Sequence, residues 1–261
     1  MIRRRLYVEV RVSRLATWSQ RIAIFALPVV ALAILLHRVG LVEYAVAYTT
    51  LVAGFAVALV GLIVAIAAFV VIWNEGLRGL GRATTATVIC LLLVGWPAVE
   101  FARSATLPAI TDITTDFSDP PRFVAVASAR PHGANPIAYP GGDAERLQRA
   151  AYPGVKSFEI EANPDEVFNM LMSIVERRGW RVLDNVSPRG GERDGRIEAV
   201  ARTLVMGFRE DISIRVRTVD KGVRIDMRSA SRYGQHDFGS NARRIESFMA
   251  EFADTRRKAM R

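Results

Sequence analysis

The chain has 261 residues, 51% of them hydrophobic, and a net charge of +9, which is enough length for one or two domains. The basic charge is almost all arginine, the lysines being Lys156, Lys221 and Lys258; arginine forms planar, bidentate contacts to carboxylate and phosphate that lysine cannot copy. The single cysteine, Cys90, excludes an intrachain disulfide and a cysteine-based zinc site.

Charge and hydropathy divide the chain. The first 101 residues carry nine arginines against four acids, and the remainder carries 26 basic and 22 acidic groups. Three apolar runs lie in the first part: Ile22 to Leu36, Leu51 to Trp73 and Ala86 to Val99. A helix crosses a bilayer with about 20 apolar residues. With their flanks, the runs predict membrane helices near 20–40, 48–73 and 83–101. The long arginine-rich leader and the lack of a small-residue cleavage site argue against a signal peptide. Arg3, Arg4, Arg5, Arg11, Arg14 and Arg21 precede the first run, and Arg78 and Arg82 lie in the second loop. Positively charged flanks stay cytoplasmic. The expectation is therefore a multi-pass bacterial inner-membrane protein with a cytoplasmic N-terminus and a periplasmic C-terminal domain. Small residues Gly54, Ala58, Gly61, Ala65 and Ala68 recur on one face of the second run, where they would let helices approach closely.

Residues 103–154 read as an extended, proline-rich tether, interrupted by a short helix at Gly142–Ala151. Beyond it, residues 155–261 carry clear periods. Strands are expected at 155–161, 180–186, 196–206, 211–218 and 223–229. The "SPRGGERDG" segment at 187–195 reads as a turn, and a hairpin turn is expected at Val219-Asp220-Lys221-Gly222. Asn163 and Pro164 mark a helix start, and Gly179 its end. Ile245, Phe248, Met249 and Phe252 form the apolar stripe of a last helix at about 240–258. The predicted fold is a three-helix membrane region (1–102), then an α+β domain with an antiparallel sheet of about five strands, two helices on one face and the tether packed on it.

The segments "DITTD" and "PPRF", "NPIAYPG", "AYPGVK", "IEAVARTLVMGFREDISIRV" and "DMRSASRYGQHDFGSNARRI" resemble the bacterial family catalogued as domain of unknown function 1499, over about 110–250. The family usually has two aspartates where this chain has Glu210-Asp211. The resemblance implies a shared domain, often with membrane attachment, and no activity.

The last of these segments holds the candidate site. Arg228 and Arg232 share a strand face, and Arg243 and Arg244 open a helix whose first N–H groups favour anions. With Ser231 and Asn241 they form either an anion site or a structural lock closed by Asp112, Asp116, Asp211 and Asp237. In the lock, Arg228 and Arg232 hold the tether through Asp112 and Asp116. Ser229, Ser231 and His236 lack any nucleophile-elbow context, and His132 and His236 lack metal-ligand spacing. No catalytic residue, metal or cofactor is assigned. No nucleic acid is expected, because the modest charge comes without the interleaved aromatics of single-strand binders. The function read from the residues is a membrane-anchored binding or scaffolding protein outside the cytoplasm, with an anionic lipid or envelope glycan as partner. The alternative is an envelope hydrolase using Asp112, Asp116 and Asp211.

Overall fold

A computed structural model describes residues 11–188 and 194–260. Arg3, Arg4 and Arg5, and most of the turn expected at 187–195, lie outside the described residues. The chain divides into two compact units, Met1–Ala102 and Arg103–Arg261.

The first unit holds α1 (Arg14–Arg38), α2 (Tyr44–Glu75) and most of α3 (Leu80–Ser104). All three are long and apolar enough to cross a membrane. Each apolar run lies inside a longer helix, because helix ends follow caps rather than hydropathy. Ser13 caps α1 by accepting from the Ala16 amide at 3.3 Å, so α1 begins well before the apolar run. The small-residue face of α2 is buried, including Gly54, Ala58, Gly61, Ala65 and Ala68. A Cβ at Gly54 would come within 2.7 Å of Val30 on α1, and one at Gly61 within 3.1 Å of Cys90 on α3.

The second unit is an antiparallel sheet in the order β1-β6-β5-β4-β3, with β2 also pairing to β6. The strands are β1 (Asp112–Thr114), β2 (Phe158–Ile160), β3 (Arg181–Val186), β4 (Gly195–Arg202), β5 (Arg209–Val219) and β6 (Gly222–Ser231). Its helices are α4 (Ala125–Ser128), α5 (Gly142–Ala151), α6 (Pro164–Arg177) and α7 (Ser240–Ala259). Asn163 caps α6 through the Asp165 amide at 2.8 Å, Pro164 takes the first turn, and Gly179 follows with a left-handed φ of 64°.

Strand alternation sorts the sheet into two faces. Ile197, Ile212, Ile214, Ile225 and Met227 meet Leu171 and Ile174 of α6 and Ile245, Phe248 and Phe252 of α7 in one apolar core. Trp180 stacks on Phe248 with ring centroids 5.4 Å apart. The opposite face is polar and is covered by the segment after β1. Ser213 donates to the Arg122 carbonyl at 3.0 Å, and the amides of Val124 and Val126 donate to the buried Glu198 carboxylate. Phe123, Val126 and Ala230 form a small apolar patch on this side.

Residues 103–154 are thus more than an extended tether. Their residues 112–114 supply a sixth strand, pairing antiparallel with Arg228–Ala230. α5 completes the edge of that strand: the Gln148 side chain donates to the Thr114 carbonyl at 2.7 Å and accepts from its amide at 3.1 Å. A buried side-chain amide so replaces the missing neighbour of an edge strand. The strand expected to run to Met206 stops at Arg202. A tight turn takes over, in which the Thr203 amide donates to the Phe208 carbonyl at 2.9 Å and Gly207 adopts a φ of 71°.

Candidate functional site

The six residues singled out from the sequence do not form one site, because the sheet stands between them. Arg228 and Arg232 lie on the covered polar face. Ser231, Asn241 and Arg244 lie on the face beneath α7. Arg243 is exposed and makes no ion pair among the described residues.

Beneath α7 the polar groups close on one another. Ser229 donates to Asn241 Oδ1 at 2.7 Å, and Asn241 Nδ2 donates to Ser231 Oγ at 3.0 Å and to the Thr111 carbonyl at 3.0 Å. Arg244 donates to Ser229 and Asn241 and pairs with Glu210. Ser240 also donates to Glu210, at 2.9 Å. The α7 N-terminus is filled by the chain's own acid. Asp237, two residues before the N-cap Gly239, accepts from the Gly239 and Asn241 amides at 2.8 and 3.0 Å and so satisfies one free N–H of the first helical turn. Burial pushes the Asp237 carboxyl up, and these amides pull it back. His236 is committed to backbone: its Nδ1 accepts from the Phe238 amide at 2.8 Å, and its Nε2 lies 3.2 Å from the Leu107 carbonyl.

On the covered face, arginines and carboxylates interleave. Arg228 donates to both oxygens of Asp112, at 2.9 and 2.6 Å, and to the Ile137 carbonyl at 2.7 Å. Its guanidinium also lies 4.5 Å from the Phe123 ring centroid. Burial pushes the Asp112 carboxyl up, and Arg228 pulls it back. Arg232 pairs with Asp211 at 2.7 Å and donates to the Ala129 carbonyl. Asp211 takes Arg130 on its other oxygen, at 2.7 Å.

Asp116 is not held by Arg232. Its partners are Arg215 at 3.0 Å and Arg224 at 3.1 Å, which also share Asp226. The reason is register. Arg228 sits opposite Thr114 on the neighbouring strand; Asp116, farther along, reaches the other end of β6, where Arg224 stands. Sequence reasoning therefore missed Arg130, Glu198, Arg215 and Arg224 as parts of the network. The outward parity of Arg215, Arg217, Arg224 and Asp226 was the available clue. Charged groups buried this fully are stable only when paired.

A solvent-open cleft of about 520 Å³ lies beside this network, lined by residues that include Phe117, Ser118, Arg149, Lys156, Ser157 and Arg224. Arg149 lies over the Phe117 ring, 4.0 Å from its centroid, and pairs with Glu145 one helical turn away at 2.7 Å. Arg224 donates to Ser157 at 3.0 Å. Lys156 is exposed and makes no ion pair among the described residues. The neighbouring Tyr152 hydroxyl is buried without a hydrogen-bond partner among the described residues, and burial pushes it up to about 12. Among the described residues no three His, Cys, Asp or Glu side chains gather as a metal site.

A model of the family described as "Protein of unknown function (DUF1499)" matches residues 112–252. The chain belongs to the DUF1499 family. The match begins at the first residue of β1 and ends at Phe252, the last buried core residue of α7. It therefore takes in both arginine networks and the cleft, and it leaves out α1 to α3. The DUF1499 description carries no activity, and no curated protein or solved structure matches the chain.

Proposed function

We propose that this DUF1499 chain is a membrane-anchored envelope protein, with its N-terminus cytoplasmic and its second unit periplasmic, that binds an anionic group without catalysing a reaction. The arginines flanking the apolar helices support the orientation. The observation that carries the binding reading is the cleft at Arg149, Lys156 and Arg224. There, the exposed Lys156 stands beside Arg149, paired with Glu145, and Arg224, paired with Asp116 and Asp226, with Ser118, Ser157 and the Phe117 ring completing the wall. Such a wall suits a phosphate, or a carboxylate on a sugar, as found on anionic lipids and acidic glycans.

The arginines of the distinctive motif are engaged by the chain's own acids, Arg228 by Asp112, Arg232 by Asp211 and Arg244 by Glu210, and so act as structural locks. Hydrolysis by Asp112, Asp116 and Asp211 gains no support, since each carboxylate is engaged by arginine. A general base must instead be free to reach substrate.

The test is calorimetric titration of the full chain in detergent with glycerol phosphate and with an acidic oligosaccharide. Binding of either should weaken in Lys156→Ala and Arg149→Ala. Absence of binding, or binding indifferent to both changes, overturns the reading. Orientation is checked separately: alkaline phosphatase fused after Arg261 should be active.

A further inference from the structure

The turn between β4 and β5 reads Arg202-Thr-Leu-Val-Met-Gly-Phe-Arg209. At its tip Leu204 is 90% exposed. Arg202 and Arg209 stand directly opposite each other across the two strands, and Arg181 pairs with Val200, two residues from Arg202. Alternation places all three arginines on one face at one end of the sheet. All three are exposed. Arg181 and Arg209 make no ion pair among the described residues. Like charges directly opposite are destabilising. Partial desolvation of its head group, and then the charges of Arg232, Arg202 and Arg181, hold the Arg209 guanidinium below its ordinary value.

Two further features mark the same end. Phe238 holds a φ of 53°, a left-handed conformation that costs a bulky residue energy, and the residue stays 44% exposed. The chain also enters the sheet here. Ser231 donates its amide to the Thr111 carbonyl at 2.8 Å, and only residues 105–110 separate Thr111 from Ser104, the last residue of α3.

We propose that this end of the sheet is a lipid-docking surface: Leu204 and Phe238 enter the interfacial zone of an anionic bilayer, and Arg181, Arg202 and Arg209 take its phosphates. An apolar tip with arginines along one face at its base matches such an interface in both polarity and charge. The surrounding phosphates also supply counter-charge to Arg181 and Arg209. Covalent reach agrees, since the seven steps from Ser104 to Thr111 span at most roughly 25 Å when extended. The inference rests on the proposed function only in taking α3 as a membrane span. Its residues are distinct from the cleft, so phosphate binding by Lys156 and lipid contact by Leu204 succeed or fail independently.

The experiment uses the full chain in nanodiscs, with Cys90→Ala and a spin label at Leu204→Cys or, for reference, at Asp220→Cys in the hairpin at the other end of the sheet. In phosphatidylglycerol nanodiscs the label at 204 should gain collisions with oxygen and lose those with a water-soluble nickel chelate. The label at 220 should stay in water. Combining Arg181→Gln, Arg202→Gln and Arg209→Gln should abolish the lipid signature at 204, with circular dichroism unchanged. A label at 204 as nickel-accessible as that at 220 overturns the proposal, as does one shielded from both reagents, which would indicate a protein partner. An equal lipid signature in phosphatidylcholine nanodiscs overturns the assignment to anionic head groups.

Discussion

Arg228 grips both carboxylate oxygens of Asp112 across 116 residues of chain. The pair is almost closed to solvent, with side-chain exposures of 4% and 8%. Removing one partner leaves the other buried and uncompensated, which costs about 3–5 kcal/mol. Asp112→Ala and Arg228→Ala should each open residues 112–124 to protease in the detergent-solubilised full chain. Together they should cost less than the sum of the two, because each single change already breaks the contact. Additive losses would sink the pairing.

Acid should loosen the same segment. Burial works against the Asp116 charge, but the Ser118 hydroxyl, the Asp119 amide and Arg224 outweigh it and hold the carboxyl below its ordinary value. Arg217 likewise holds Asp119 low. A carboxyl that binds its proton more weakly when folded favours the fold wherever it is ionised. That contribution is complete above the unfolded value of about 3.9 and is lost as pH falls through the depressed folded values. Pepsin cleavage within 112–124 should therefore accelerate in the most acidic steps of a pH series. Asp116→Asn should blunt the dependence. Loosening that sets in near neutrality would point to other groups.

Gln148 gives a test of side-chain substitution for a strand. Gln148→Leu leaves the Thr114 amide and carbonyl buried without partners, at about 1–3 kcal/mol for each group. Gln148→Glu keeps the acceptor and loses the donor, so it should fall between wild type and Gln148→Leu. Equal melting temperatures for wild type and Gln148→Leu would show that water or a rearranged edge satisfies Thr114.

In the membrane unit, Gly54→Ala and Gly81→Ala should move stability in opposite directions. Alanine favours helix over glycine by about 1 kcal/mol, and nothing lies within 4 Å of a Cβ at Gly81. At Gly54 the new methyl meets the stiff Val30 side chain at 2.7 Å. Thermal scans in detergent should show Gly81→Ala at or above wild type and Gly54→Ala below it. The same direction for both would mean that α1 and α2 part without cost.

Much of this architecture is legible in the residues. The apolar runs, the Asn163-Pro164 start, the hairpin at 219–222 and the Ile245–Phe252 stripe each follow from local period or local chemistry. β1 does not, because three residues in a proline-rich stretch carry no period, and only the distant β6 makes them a strand. The partner of Asp116 was hidden for a related reason. Alternation says which face a side chain takes, while the level at which two strands meet decides which arginine it finds. The division of Arg228 and Arg232 from Ser231 was written in their parity, but the compactness of the motif suggested one site.

Glu210 and Asp211 are neighbours whose side chains leave β5 on opposite faces. Glu210 serves Ser231, Ser240 and Arg244 beneath α7, and Asp211 serves Arg130 and Arg232 beneath the covering segment. Sliding β5 by one residue would exchange the faces of both carboxylates at once and strand every arginine that depends on them. The two adjacent acids thus act as a parity check on the strand: each layer verifies the register independently, and an error passed by one is refused by the other.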